Sequence, residues 1–218
     1  MREDDVIMDC ESELAIGLEK FEDGDLPGAE KHFKKCTLEE PGNYNAWLYL
    51  GICLSEQEKF KEAIEAFNKC TEIDEFQPYA WSNMGIVYQK QRELFEAVRH
   101  FFKAAKLDPN DVYTRLNLAL SYLKMRNKEH EALRELKFVI ERDDSLPEAW
   151  HHLGLIFMDL MKKGYALYCF LRAKSLGMKG GKNNRLIIDL KFDEIEARDP
   201  FDPCNRDDAF KLGKEDSR

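Results

Sequence analysis

The feature that most constrains this chain is a 34-residue period. Trp47 and Trp81 lie 34 residues apart, and Gly51 and Gly85, Ala63 and Ala97, and Phe67 and Phe101 keep that spacing. Counting back from Gly51, Ala63, Phe67 and Cys70 reaches Gly17, Ala29, Phe33 and Cys36. Counting forward reaches Ala119 and, after one extra residue assigned near Lys128 to His130, Ala132, Leu136 and Val139. A last unit holds Trp150, Leu153, Gly154, Ala166, Phe170 and Ala173. A fixed period of this length marks a repeat architecture, in which each unit buries its apolar face only by stacking on its neighbours. The expected boundaries are 10–43, 44–77, 78–111, 112–146 and 147–180, after an N-terminal extension over 1–9.

Positions three or four apart share a helical face, and small residues let two helices approach closely. Each unit therefore reads as a helical hairpin. Gly17, Gly51, Gly85, Ala119 and Gly154 are expected against Ala29, Ala63, Ala97, Ala132 and Ala166, with Phe33, Phe67, Phe101, Leu136 and Phe170 beside them. Pro41, Pro78, Pro109 and Pro147 fall between units, and Pro27 follows Asp25 where a helix start tolerates a missing N–H. In the first unit Glu13 and Lys20 take slots held by Trp47 and Leu54 in the second, which predicts a water-facing cap. The fourth unit departs most, with Arg115 in the Trp slot and Val139 in a small-residue slot.

The third unit, with Trp81, Met84, Gly85, Tyr88, Ala97, Phe101, Ala104 and Pro109, resembles the tetratricopeptide repeat, and the second and fifth follow it nearly as fully. The resemblance covers about four fifths of the chain. It implies an all-α fold, a right-handed superhelical solenoid of five helix-turn-helix repeats with a C-terminal capping segment. It also implies binding of a protein or peptide on the concave face lined by the first helices.

Charge and composition narrow the function. Lys and Arg number 33 against 42 Asp and Glu, and a net charge of −9 repels phosphate backbones and anionic headgroups, so neither nucleic acid nor membrane is an expected partner. The longest apolar stretch, Leu153 to Met161, contains Asp159 and falls far short of the roughly 20 residues a bilayer requires. Arg2, Glu3, Asp4 and Asp5 precede no apolar run, which does not match a signal peptide. The six cysteines form no CxxC pair and suit reduced thiols in a cytoplasmic protein, with Cys36 and Cys70 recurring in a packing slot as buried, reduced residues. His32 and His100 share a repeat slot, His130 lies by the insertion, and His151 and His152 point to different sides of a helix, so no metal site is expected. No phosphate loop, nucleophile elbow or strand-borne carboxylate pair is present, and neither catalysis nor a cofactor is expected.

The slot after the Trp column and the slot four further on hold Leu14 and Leu18, Leu48 and Ile52, Ser82 and Ile86, Leu116 and Leu120, and His151 and Leu155. With the packing slots they make an apolar arc of roughly 200°, where one buried face needs about 100°. The expected concave binding site comprises Leu48, Tyr49, Ile52, Tyr79, Asn83, Ile86, Tyr113, Leu116, Asn117, Leu120, His151 and Leu155, with Met158 at its edge. Heat-shock co-chaperones of this family grip a C-terminal carboxylate with Lys and Asn on the first repeat of the clamp. Here those slots hold Leu14 and Leu18, Leu48 and Ile52, or Ser82 and Ile86, so that clamp is not formed.

After Gly180 and Gly181 the pattern stops, yet Leu186, Ile187, Ile188, Leu190, Phe192 and Ile195 need cover. Their spacing fits either a capping helix or an extended segment over 181–198, and 199–218 reads as a loose tail. The expected function is a non-enzymatic adaptor that holds an apolar or amphipathic helical or extended segment of a partner. The alternative is a self-associating scaffold, a homo-oligomer whose groove is filled by its own C-terminal segment.

Overall fold

The computed structural model describes residues 9–192, 195–202 and 204–210, the side chains of Lys182, Phe192, Arg206 and Asp207 excepted. Most of the expected N-terminal extension, the end of the tail, Pro203 and the Phe192 side chain lie outside the described residues. Among those described, every regular element is a helix. The first three hairpins pair α1 (Cys10–Glu22) with α2 (Leu26–Glu39), α3 (Tyr44–Glu56) with α4 (Phe60–Ile73), and α5 (Pro78–Lys90) with α6 (Leu94–Leu107). The last two pair α7 (Val112–Leu123) with α8 (Glu129–Arg142) and α9 (Pro147–Asp159) with α10 (Lys163–Ser175), followed by α11 (Gly181–Phe192) and the short α12 (Arg206–Ala209). The chain forms two compact units, one through Asn110 and one from Asp111.

The glycine column faces the phenylalanine column. A methyl group added at Gly17 would lie 2.6 Å from a ring carbon of Phe33; at Gly51, 2.5 Å from Phe67; at Gly85, 2.7 Å from Phe101; and at Gly154, 2.6 Å from Phe170. The glycine therefore makes room for the partner helix's phenyl ring, while the expected partner alanines Ala29, Ala63, Ala97 and Ala166 are fully buried. All four rings are almost fully buried, which leaves them little room to shift. The fourth hairpin is consistent with this reading: Ala119 replaces glycine, and the smaller Leu136 replaces phenylalanine.

The tryptophans secure the loops between hairpins. The indole N–H donates to the carbonyl six residues back, Trp47 to Pro41 at 2.9 Å, Trp81 to Glu75 at 3.0 Å and Trp150 to Asp144 at 2.8 Å. Arg115, in the equivalent slot, instead pairs with Glu135 at 2.7 Å and lies over the Phe138 ring. Each first helix ends at a residue with positive φ: Gly24, Glu58, Arg92, Asn127 and Met161. Only the first is glycine; Asn127 adopts the left-handed region readily, whereas Glu58, Arg92 and Met161 are held there against the usual preference of such side chains. Asn127 to Ala132 keeps the spacing of Glu58 to Ala63, which places the extra residue of the fourth unit before Asn127, in the turn after α7, rather than near Lys128 to His130.

The first hairpin is not a water-facing cap at Glu13. That side chain is 2% exposed, and its carboxylate meets His32 Nδ1 at 2.5 Å and Lys35 Nζ at 2.9 Å. Burial pushes its pKa up, but hydrogen bonds from Lys35 and His32 outweigh this and hold the carboxyl below its usual range. Glu30 is similarly placed, meeting Lys34 at 2.6 Å, Lys59 at 2.7 Å and the Gln57 amide at 2.8 Å. It ties α2 to the next hairpin.

Cys36 is buried as expected but is not reduced: it forms a disulfide with Cys10, whose Cα is 4.5 Å away. The geometric reason is that Cys10 opens α1 directly beside the last turn of α2. Cys53, Cys70 and Cys169 are buried free thiols, and Cys204 is exposed.

In the C-terminal segment residues 181–192 form α11, and residues 195–199 are not helical. α11 packs on α10, buries Ile187 and Leu190, and places Asn183 Oδ1 to accept from His151 Nδ1 at 3.1 Å while the Asn183 amide N–H donates to Phe170 O at 3.1 Å. The expected loose tail from Asp199 is instead packed as far as it is described. Phe201 meets Trp150 edge-on with centroids 5.5 Å apart, Phe210 lies 5.8 Å from Phe157, Tyr165 donates to Asp208 at 2.9 Å, and Ala209 is fully buried.

Two outcomes check this account. Burial pushes the Cys70 thiol up to about 12 and raises Cys53 and Cys169 as well. Thiol labelling without reductant should therefore modify Cys204 quickly, Cys53, Cys70 and Cys169 only on unfolding, and Cys10 and Cys36 only after reduction. Although burial raises its pKa, Glu30 is drawn down to about 2 by its bonds to Lys34, Lys59 and Gln57. Its ionised form therefore adds stability that is complete above the ordinary 4.5 and is lost as pH falls through about 2. Denaturation midpoints at pH 7 and pH 3 should fall further in the unaltered protein than in Glu30→Gln.

Candidate peptide-binding face

In the first unit α1 touches α3 and α3 touches α5, so the three first helices line one face. Leu14, Leu18, Tyr49, Ile52, Ser82, Asn83 and Ile86 are half-buried there. Tyr79, in the first turn of α5, is 59% exposed. The Pro78 ring at the start of α5 sets that turn, and Tyr44 OH accepts from Ala80 N at 3.2 Å, fixing α5 against α3. The face is therefore apolar, partly open and rigidly backed.

The expected site residues differ in how far packing has used them. Leu48 and Leu116 are each 8% exposed and belong to the two cores, because their slots point into the seam between successive helices rather than out of it. Tyr49, Asn83 and His151 are already engaged: Tyr49 stacks on Phe33 at 5.8 Å, Asn83 donates to Tyr79 O at 2.9 Å, and His151 meets Asn183 and sits 5.7 Å from the Phe170 ring. The Asn83 amide N–H thus serves its own helix. Ile52 and Ile86 in the first unit, and Leu120 and Leu155 in the second, are half-buried on the outer side of their helices' packing seam. Tyr113 is 63% exposed at the start of α7, Asn117 is half-buried in the next turn, and Met158 lies half-buried on α9.

Titratable groups do not build a reaction centre on these faces. His100 is buried between Trp81 and Tyr88, at 5.8 Å and 4.9 Å, with Nδ1 2.9 Å from Glu96 O, and burial lowers its pKa. Burial, with His151 beside it, lowers His152 to about 4. Both are neutral side chains of the packing at pH 7. Among the described residues, no three His, Cys, Asp or Glu side chains are grouped to hold a metal ion, and no helix is long and apolar enough to cross a membrane.

This helical-hairpin architecture, with its Gly–Phe seams and tryptophan-clamped loops, is that of the tetratricopeptide repeat. Residues 20–84 match one tetratricopeptide-repeat family model and residues 78–111 another, which supports a tetratricopeptide-repeat protein. No curated protein matches its sequence. Among solved structures it is similar to pilF of Pseudomonas aeruginosa, at 19% identity over 92% of this chain and 86% of that one, with a TM-score of 0.78. MamA is 23% identical over 74% of this chain and 94% of its own, with a TM-score of 0.66. YrrB, described as a TPR protein with an unusual peptide-binding site, is 18% identical over 83% and 90%, with a TM-score of 0.62. At these identities the likeness concerns the fold.

Two features escaped the sequence reading: the disulfide at Cys10 and the exposed phenylalanines Phe95 and Phe102 on α6. The second carried a signal, since the slots one repeat earlier hold Lys61 and Asn68.

Proposed function

We propose that the protein is a non-enzymatic protein–protein interaction module that binds an apolar or amphipathic segment of a partner on the face lined by its first helices. The observation that carries this reading is the combination on α3 and α5 of half-buried Ile52 and Ile86 with exposed Tyr79. Ile52 and Ile86 present aliphatic surface that packing has not consumed, and Tyr79 adds a rigid aromatic with a polar tip, the type of residue that dominates binding energy. An amphipathic helix or extended segment buries such a stripe through successive apolar anchors. YrrB, whose fold is similar, is described as binding peptide, which supports the class of ligand. An adaptor role is in keeping with a binding face carried by stacked helical hairpins. A cytoplasmic site of action fits the three buried free thiols, whereas the Cys10–Cys36 bond fits an oxidising one. The self-associating scaffold is the weaker reading, because the C-terminal segment packs on its own α10 and on Trp150 and Phe157.

Selection of a displayed peptide library on the full chain tests the proposal. Enriched peptides should carry spaced apolar residues, and Ile52→Asp with Ile86→Asp should weaken them at least tenfold while circular dichroism stays that of the unaltered protein, since each new carboxylate would be desolvated on binding. Equal affinity for the folded double variant would place the binding surface elsewhere.

A further inference from the structure

The second helices carry a separate surface. Aligning Ala97 with Ala166 and Phe101 with Phe170 sets α6 and α10 in register, and Phe95, Arg99 and Phe102 then correspond to Gly164, Tyr168 and Leu171. On α10 this outer face is covered by the chain itself. Arg198 N–H donates to Gly164 O at 2.9 Å, and a methyl group at Gly164 would lie only 2.8 Å from the Glu196 carbonyl oxygen. Tyr168 hydrogen-bonds Asp199, and Ile195 and Phe201 pack into the same core as Leu171. The covering segment, residues 195–210, is acidic, with Glu196, Asp199, Asp202, Asp207 and Asp208 against Arg198 and Arg206, and carries Phe201 and Phe210 as anchors.

On α6 the corresponding face is bare. Phe95 is 79% and Phe102 50% exposed. They are seven residues apart, two helical turns or roughly 10 Å along one side. Arg99 stands between them with its side chain 71% exposed, held at 2.7 Å by Glu96, and the Lys106 ammonium lies 4.8 Å over the Phe102 ring. Arg99, Lys103 and Lys106 against Glu96 make α6 a net positive helix in a chain of charge −9. The same slots on α4 hold Lys61, Glu65, Asn68 and Glu72, a polar and solvated face. Two exposed phenyl rings flanked by cations are costly to leave in water without a partner, and the charge of these cations is opposite to that of the segment that covers α10.

We propose that the outer face of α6 is a docking surface for an acidic segment of a partner protein that carries two large aromatic or aliphatic anchors. Phe95 and Phe102 receive the anchors, and Arg99 and Lys106 pair with the carboxylates. Because Phe95 stands where Gly164 lets a backbone approach, the contact on α6 is made between side chains. This surface is separate from the one proposed for the first helices, and its variants leave Ile52 and Ile86 untouched, so either proposal can fail alone.

The probe is a fluorescein-labelled synthetic peptide of residues 195–210 with Cys204→Ser, titrated into the full chain by fluorescence polarisation at low salt. Saturable binding is expected, at least tenfold weaker for Phe95→Ser with Phe102→Ser and for Arg99→Glu with Lys106→Glu, both folded by circular dichroism. If the phenylalanine pair fails to fold, the charge pair decides. Absence of saturable binding, or equal binding by the variants as when the peptide merely displaces the tail from α10, overturns the proposal. So does a concentration-dependent dimer in sedimentation velocity that Phe95→Ser with Phe102→Ser abolishes, which would make a second copy the occupant. Flotation with phosphatidylserine vesicles that the same variants abolish would overturn it in favour of a lipid surface.

Discussion

Four of the five hairpins depend on one contact, a phenyl ring lodged where the facing helix has no side chain. Gly17 against Phe33, Gly51 against Phe67, Gly85 against Phe101 and Gly154 against Phe170 repeat it at nearly the same separation. Glycine inside a helix is destabilising by roughly 0.5–1 kcal/mol relative to alanine. Its recurrence at a helical position means that close approach offsets more than that. The contact fixes the crossing of the two helices in a hairpin, and this in turn decides which sides of each are left for neighbours and for partners.

Much of this was legible in the sequence because it is periodic. The 34-residue spacing marks the hairpins, and the paired substitution of Ala119 and Leu136 for glycine and phenylalanine shows the same seam solved with different volumes. What the period did not separate was which small residue the ring meets, since Gly85 and Ala97 recur together and spacing alone does not rank their contacts. The features outside the period were the least legible. Cys10 has no counterpart in later repeats, and residues 199–210 look like a charged tail until Trp150, Phe157 and Tyr165 are seen to receive Phe201, Phe210 and Asp208.

The candidate site was legible at the level of a helix face and not of single residues. Slots one and five beyond the Trp column lie near the boundary between seam and surface, so a small rotation of the helix decides whether an aliphatic side chain is core, as Leu48 is, or half-open, as Ile52 is. Polar residues in such slots find local partners first, which is why Asn83 bonds its own helix and His151 meets Asn183. The outer faces follow a complementary logic. In the second unit the chain covers its own second helix with an acidic, phenylalanine-bearing segment, and in the first unit a basic, phenylalanine-bearing helix is left uncovered.

The most direct test of the central contact is a double-mutant cycle at Gly85 and Phe101, measured by chemical denaturation. Gly85→Ala should destabilise by about 1–3 kcal/mol through overpacking. Combining it with Phe101→Leu, which recreates the pairing of Ala119 with Leu136, should cost less than the sum of the single changes by at least about 0.5 kcal/mol. Additive losses would mean that the glycine and the ring are not coupled, and would contradict the account of how these hairpins are built.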